Sequence, residues 1–149
     1  MKEVKEYKQL GAYAIVVKDE KILLIKKYGG PYDGKLDLPG GTIEFGEKPE
    51  EALKRELLEE VGIEINSYKL FDANATSFDW DYKEKLIKVH HVGIFYMIES
   101  YSNQIRTNVK VDAINDDSMG AEWFDIASLK RSELSNIAIM ELEKMEYKI

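Results

Sequence analysis

The sequence contains no cysteine. That excludes disulfides, zinc–thiolate sites and a thiol nucleophile, and it fits a reducing compartment such as the cytoplasm. Its three prolines, Pro31, Pro39 and Pro49, all lie in the first third of the chain, so there is no proline-rich linker to divide it. No repeat or low-complexity tract is present either, and 149 residues suit a single domain, 1–149, with a real core. None of the apolar runs approaches the roughly 20 residues a membrane-spanning helix needs. The N-terminal residues 1–11, MKEVKEYKQLG, are charged and lack the apolar core of a secretion signal. Basic residues are outnumbered: 21 Lys and Arg stand against 28 Asp and Glu, for a net charge of −7. Such a balance argues against a broad surface for duplex nucleic acid, although small nucleotides remain open because a metal ion can offset their charge.

What the chain does have is concentrated acid in one place. Residues 41–63 read GTIEFGEKPEEALKRELLEEVGI. At about 100° per residue, Glu56, Glu59 and Glu60 share one face of a helix, at i, i+3 and i+4, while Leu57, Leu58 and Val61 point roughly the other way. Like charges at that spacing oppose one another by about 0.2–0.5 kcal/mol per pair. An acidic helix face is most often plain solvated surface. Three stacked carboxylates next to a glycine turn, however, suit a hard divalent cation such as Mg²⁺ or Mn²⁺, which takes oxygen ligands. The punctuation is that of a short helix over Lys48–Val61. Pro49 fits its first turn and Gly62 a left-handed cap. Upstream, Leu38-Pro39-Gly40-Gly41 reads as a turn that lets backbone come close to a ligand, where a carbonyl could reach a metal.

The spacing is Gly41, five residues, Glu47, seven residues, Arg55-Glu56, an aliphatic residue, any residue, Glu59-Glu60, any residue, Gly62 and an aliphatic residue. It resembles, at every position, the signature of the Nudix hydrolases. The resemblance implies an α/β/α sandwich with a mixed β-sheet and a Mg²⁺-dependent (or Mn²⁺-dependent) hydrolase that cleaves a nucleoside diphosphate linked to another group by attack of water on phosphorus. It implies Glu56, Glu59 and Glu60 as metal ligands, with a Gly40 carbonyl beside them, and Glu56 or Glu59 as the base. Arg55 and Glu47 are implied to brace the loop and helix and to orient the carboxylates. Glu122, or one of Asp112, Asp116 and Asp117, would complete the metal site from an acidic loop. Relatives in such a family are often homodimers, and no stretch of this sequence by itself marks an interface.

Other candidates rest on pattern. Phe78, Trp80 and Tyr82 alternate and would share one strand face, either packing or stacking on a base. Tyr28 and Tyr32 flank the Gly29–Gly34 loop and could cover a substrate. His90 and His91 point to opposite faces, so at most one reaches a given site. The expected strands cover 11–18, 21–28, 36–38, 67–80, 86–98 and 121–124, with turns at Asp19-Glu20 and Lys83-Glu84-Lys85, a loop over 108–119, a helical turn over 126–129 and a closing helix over 132–145 capped by Ser132.

A nucleoside triphosphate, ordinary or oxidised, is the default substrate that the resemblance implies. ADP-ribose branches often carry a proline downstream of the box, where this chain has none. Tyr82 lies slightly beyond the place of the tyrosine found in dinucleoside polyphosphate branches. A nucleotide-binding sensor domain that does not cut is the contrasting reading, and such domains usually carry a degraded box. An isoprenoid diphosphate isomerase would need the missing cysteine.

Overall fold

The computed structural model describes residues 3–106 and 118–149. The first strand, β1 (Glu3–Ile15), alternates between two cores. Ala12 and Ala14 enter one, Tyr13 and Ile15 the other. A short β2 (Val17–Lys18) turns at Asp19 and Glu20, both with positive φ as a two-residue hairpin requires, into β3 (Lys21–Lys27). That strand repeats the alternation, with Leu23 and Ile25 on one side and Ile22 and Leu24 on the other. Next come β4 (Leu36–Asp37), β5 (Gly40–Thr42) and α1 (Pro49–Val61). A long hairpin follows, β6 (Glu64–Tyr82) and β7 (Lys85–Ser102), closed by Lys83 and Glu84 at positive φ. The chain ends with β8 (Ser118–Asp125), two 3₁₀ turns at Ile126–Ser128 and Arg131–Glu133, and α2 (Asn136–Lys144).

Two four-stranded sheets result. One runs β5-β1-β7-β6, with β1 parallel to β7 and the other pairs antiparallel. The other is β2-β3-β4, with β8 paired to β3. Helix α1 closes one face through Ala52, Leu53, Leu57 and Val61. Helix α2 closes the opposite face through Ile137, Ala138 and Leu142. The expected α/β/α sandwich with a mixed sheet is what forms. Truncating a fully buried anchor such as Leu53 would cost about 2–5 kcal/mol, the usual range for a core Leu→Ala.

Several sequence expectations need correction. The strand expected from residue 11 begins at Glu3, because β7 offers a parallel partner along the whole run from Glu3 to Ile15. The closing helix begins at Asn136, not near residue 132. Ser135 is its cap, accepting from the Ala138 N–H at 3.2 Å, and Arg131–Glu133 forms a separate turn. Leu58 is 48% exposed and does not join Leu57 and Val61 in the core. Of the loop expected over 108–119, Ser118 and Met119 open β8 and the remainder lies outside the described residues, as do Asp112, Asp116 and Asp117.

Candidate active site

Helix α1 starts cleanly. Pro49 occupies its first turn, and the Glu51 carboxylate accepts from the Lys48 N–H at 3.0 Å. It ends at Gly62, whose φ of 81° is the left-handed cap and whose N–H reaches the carbonyls of Leu57 and Leu58. Arg106 adds a cation to this end, donating to the carbonyls of Leu58 (2.9 Å) and Glu59. The helix is therefore fixed at both ends, and its acidic face has a set position.

That face is not uniformly exposed. Glu59 is open to solvent, Glu56 is half-buried and Glu60 is buried. Arg55 gathers the first two. Its Nη1 donates to Glu56 Oε1 at 2.9 Å and to Glu59 Oε2 at 3.4 Å. The remaining fork grips Glu47, Nε to Oε2 at 2.8 Å and Nη2 to Oε1 at 3.0 Å, and Nη2 also reaches the Thr42 carbonyl at 3.0 Å. The guanidinium beside Glu47 lowers that carboxyl to about 2, with the Glu44 N–H, at 2.8 Å from Glu47 Oε1, helping. The same contacts raise the Arg55 pKa. A planar five-donor fork does this, and a lysine could not reproduce it. Glu60 turns inward and accepts the Gly40 N–H at 2.8 Å, tying the helix to the glycine turn. Glu56 lies directly over Gly41. A Cβ added there would sit 2.7 Å from the carboxyl carbon, so a larger residue would push the Glu56 carboxylate from this position.

Above Glu56 opens a cleft of about 270 Å³, lined on one side by Gly40, Gly41, Thr42 and Glu56 and on the other by Tyr13, Lys27, Tyr32 and Asp37. The second wall holds a packed cluster of neutral polar groups beside Lys27 and Asp37. His91 is fully buried between two phenols, with Tyr13 Oη 2.5 Å from Nε2 and Tyr32 Oη 2.8 Å from Nδ1. Burial, with the charge of Lys27 adding to it, lowers the His91 pKa to about 4. The ring is thus neutral near pH 7, with one nitrogen a donor and the other an acceptor, and one tyrosine gives its proton while the other receives. Burial raises the pKa of both tyrosines, with Asp37 adding to it. Asp37 is itself buried, accepting from the Leu38 N–H at 2.8 Å and the Ser135 hydroxyl at 2.6 Å.

The structure therefore brings together Gly40, Glu47, Arg55, Glu56, Glu59 and Glu60. It also joins Tyr32 to Phe78, stacked at 5.2 Å between ring centroids, beside the cleft. Trp80 and Tyr82 stack on each other at 4.6 Å and do not line it. Glu122 is exposed on β8, in register with Leu24, whose side chain belongs to the α2-side core. Tyr28 is exposed. Of the two histidines, His91 is buried behind Tyr13 and Tyr32 and does not line the cleft, while His90 is exposed. Sequence reading missed Tyr13, Lys27 and Asp37; the only forewarning was that Tyr13 is the one polar-tipped residue in the apolar run 11–17.

As to a metal, no three acidic or histidine side chains among the described residues converge as a ready-made cage. The donor set still suits Mg²⁺ or Mn²⁺. It offers only oxygen, from Glu56, Glu59 and Glu60, around a turn whose backbone approaches closely, and Mg²⁺ keeps several waters and takes few carboxylates.

A family model for the Nudix domain matches residues 8–141. The chain belongs to the Nudix family. Its Nudix relatives include an ADP-ribose pyrophosphatase of Methanocaldococcus jannaschii, 34% identical over 117 residues, which are 78% of this chain and 62% of that protein. An 8-oxo-dGTP diphosphatase of Escherichia coli is 36% identical over 70 residues, 47% of this chain and 48% of that protein. Among solved structures, a MutT Nudix hydrolase from Burkholderia pseudomallei superposes with a TM-score of 0.74 at 28% identity, covering 92% of this chain and 97% of the other. This Nudix chain thus spans less than two thirds of those two curated relatives.

Proposed function

We propose that the chain is a Mg²⁺- or Mn²⁺-dependent pyrophosphohydrolase acting in the cytoplasm on a nucleoside diphosphate linked to another group, with a nucleoside triphosphate, ordinary or oxidised, as its substrate. The observation that carries this reading is the seating of the Glu56 carboxylate on Gly41 at the edge of the cleft, held there by Arg55. Glu56, Glu59 and Glu60 would hold the ion. When bound, it offsets phosphate charge and makes water more acidic.

The chain's own residues supply the rest. Arg55 aims Glu56 and Glu59 through its hydrogen bonds, and Glu47 holds Arg55 in place. In hydrolysis water adds to phosphorus, the phosphoanhydride P–O bond breaks, and the leaving phosphate departs with the electron pair. The proton lost by water passes to a carboxylate oxygen of Glu56 or Glu59. Lys27 brings a cation to the cleft wall for phosphate oxygens, and the Tyr32–Phe78 stack provides an aromatic surface for a base. Glu122 would contribute only by movement toward the helix.

Hydrolysis of ADP-ribose is a second reading, favoured by the 34% identical relative of that name. A screen of nucleoside triphosphates, their oxidised forms and ADP-ribose, with Mg²⁺ and with Mn²⁺, distinguishes the two by product. Glu59→Gln should lower turnover at least about 100-fold with an unchanged circular dichroism spectrum. Tight nucleotide binding without turnover in either metal would make the chain a sensor and overturn the proposal.

A further inference from the structure

Tyr13 stands between the two walls of the cleft. It is buried, it lies on β1 opposite Gly40 of β5, and its hydroxyl meets His91. Its ring has room because two glycines leave it. A Cβ added at Gly11 would run into the Tyr13 hydroxyl and lie 2.6 Å from two of the ring carbons. The Gly11 backbone is not in the left-handed region, so it is the ring, not the chain conformation, that asks for glycine there. A Cβ added at Gly40 would lie 2.7 Å from the Tyr13 Cα and 2.9 Å from ring carbon Cδ1. Phe95 stacks on the ring at 5.7 Å between centroids, and His91 meets it edge-on at 5.3 Å. The ring is thus confined, and one of the groups confining it is Gly40.

The strand ladder does not itself aim the Gly40 N–H. The Ile43 N–H donates to the Leu10 carbonyl at 2.9 Å and the Ala14 N–H to the Pro39 carbonyl at 2.8 Å, so β1 bonds to β5 through its even-numbered residues. Tyr13 and Gly40 therefore face each other as a non-hydrogen-bonded pair, the closer kind, with Cα atoms about 4.5 Å apart. The Gly40 N–H turns away from β1 and donates to Glu60 Oε1 at 2.8 Å. On one side, then, this glycine meets the Tyr13 ring, and on the other it holds a carboxylate of α1. Burial raises the Tyr13 pKa, and the charges of Asp37, Tyr32, Glu60 and Glu56 add to it, which fits a neutral phenol set close behind the acidic wall.

We infer that Tyr13 is a positioning residue: its ring, seated in the slot left by Gly11 and Gly40, holds the Gly40 N–H against Glu60 and so sets the carboxylate that α1 offers to the ion. The last step rests on the metal-binding reading above, whereas the contact itself does not. The ring does this rather than the hydroxyl, because the Tyr13 atoms nearest to Gly40 are Cα and Cδ1 and the hydroxyl is turned to His91.

Isotopic labelling of glycine nitrogen alone follows the ten glycine amides by magnetic resonance. Hydrogen exchange at Gly40 is compared with that at Gly62, whose N–H caps α1 and reports on the helix as a whole. Gly11→Ala displaces the ring, Tyr13→Leu removes it, and Tyr13→Phe keeps it without the hydroxyl. Exchange at Gly40 should rise at least about tenfold relative to Gly62 in Gly11→Ala and Tyr13→Leu, and stay within about twofold of the parent in Tyr13→Phe. Affinity for Mn²⁺ should fall about tenfold in the same two variants and hold in Tyr13→Phe. Equal Gly40 exchange in the parent and all three variants overturns the inference, as does a loss of protection in Tyr13→Phe equal to that in Tyr13→Leu. Faster Gly40 exchange with Mn²⁺ affinity unmoved, while Glu60→Gln weakens the ion, overturns the link to the metal face. Should Glu60→Gln also leave Mn²⁺ affinity unmoved, the metal-binding reading falls instead, and Gly40 exchange still decides whether Tyr13 sets the contact with Glu60.

Discussion

The two walls of the cleft are built on opposite electrostatic terms. The α1 wall gathers charge: one guanidinium, open to solvent along part of its length, meets Glu47, Glu56 and Glu59 and lowers the Glu47 pKa. The facing wall keeps one cluster of polar groups neutral, beside Lys27 and Asp37. His91, Tyr13 and Tyr32 satisfy one another away from water, and burial moves each pKa toward the uncharged form. Charge belongs where a cation and a phosphate are to be handled. A neutral hydrogen-bonded wall fixes shape without competing for them, because an unpaired buried charge would be costly.

Changes on the charged wall should be felt in catalysis. Glu56→Gln is expected to lower kcat about 10³-fold, by phosphate release, with the melting temperature within a few degrees of the parent. Arg55→Ala frees Glu47, Glu56 and Glu59 at once and should cost about 10–100-fold, the usual effect of removing an orienting partner. Arg55→Lys should recover little of that loss, since it lacks the fork. Full activity in either Arg55 variant would erase the distinction between the walls.

Changes on the neutral wall should be felt in stability and KM more than in kcat. His91→Leu strands two phenols and should destabilise the fold by about 1–3 kcal/mol in denaturant titration. The pH dependence has a definite sign. A folded-state pKa of about 4, below the ordinary 6.5, means the unfolded chain takes up the proton first. Stability from His91 is complete above pH 6.5 and is lost as pH falls toward 4, by at most about 3 kcal/mol. His91→Leu should lack that slope.

The smallest effect lies far from the cleft. Burial, reinforced by Asp72, lifts the Glu141 carboxyl to about 8, while the hydrogen bond from Lys144 helps hold Asp72 low despite its burial. Glu141 therefore keeps its proton near pH 7 where α2 packs on β6. A raised folded-state pKa means stability falls as pH climbs from about 4.5 to 8. Glu141→Gln should therefore raise the melting temperature at pH 8 and change it little at pH 5.

How much of this was legible follows from distance along the chain. The α1 box could be read because its parts are local: Glu56, Glu59 and Glu60 on one helical face, Pro49 at its start, Gly62 at its end. Even there, the inward turn of Glu60 depends on Gly40, twenty residues upstream, and could not be read from helical spacing. The neutral wall joins His91 to Tyr13 and Tyr32 across 78 and 59 residues, and no local pattern encodes that meeting. Residues 3–10 lay outside the expected first strand because their ordering comes from β7, some 80 residues away. Ser132 and Ser135 are equally good caps in sequence. Packing decides between them, since Ser135 also donates to the buried Asp37.

The central claim is that the carboxylates of α1 hold a divalent ion. Electron paramagnetic resonance titration with Mn²⁺, comparing the parent chain with Glu56→Gln, Glu59→Gln and Glu60→Gln, addresses it without relying on turnover. Binding should saturate in the parent and weaken at least about tenfold in each variant. Equal Mn²⁺ affinity in all four proteins would contradict it.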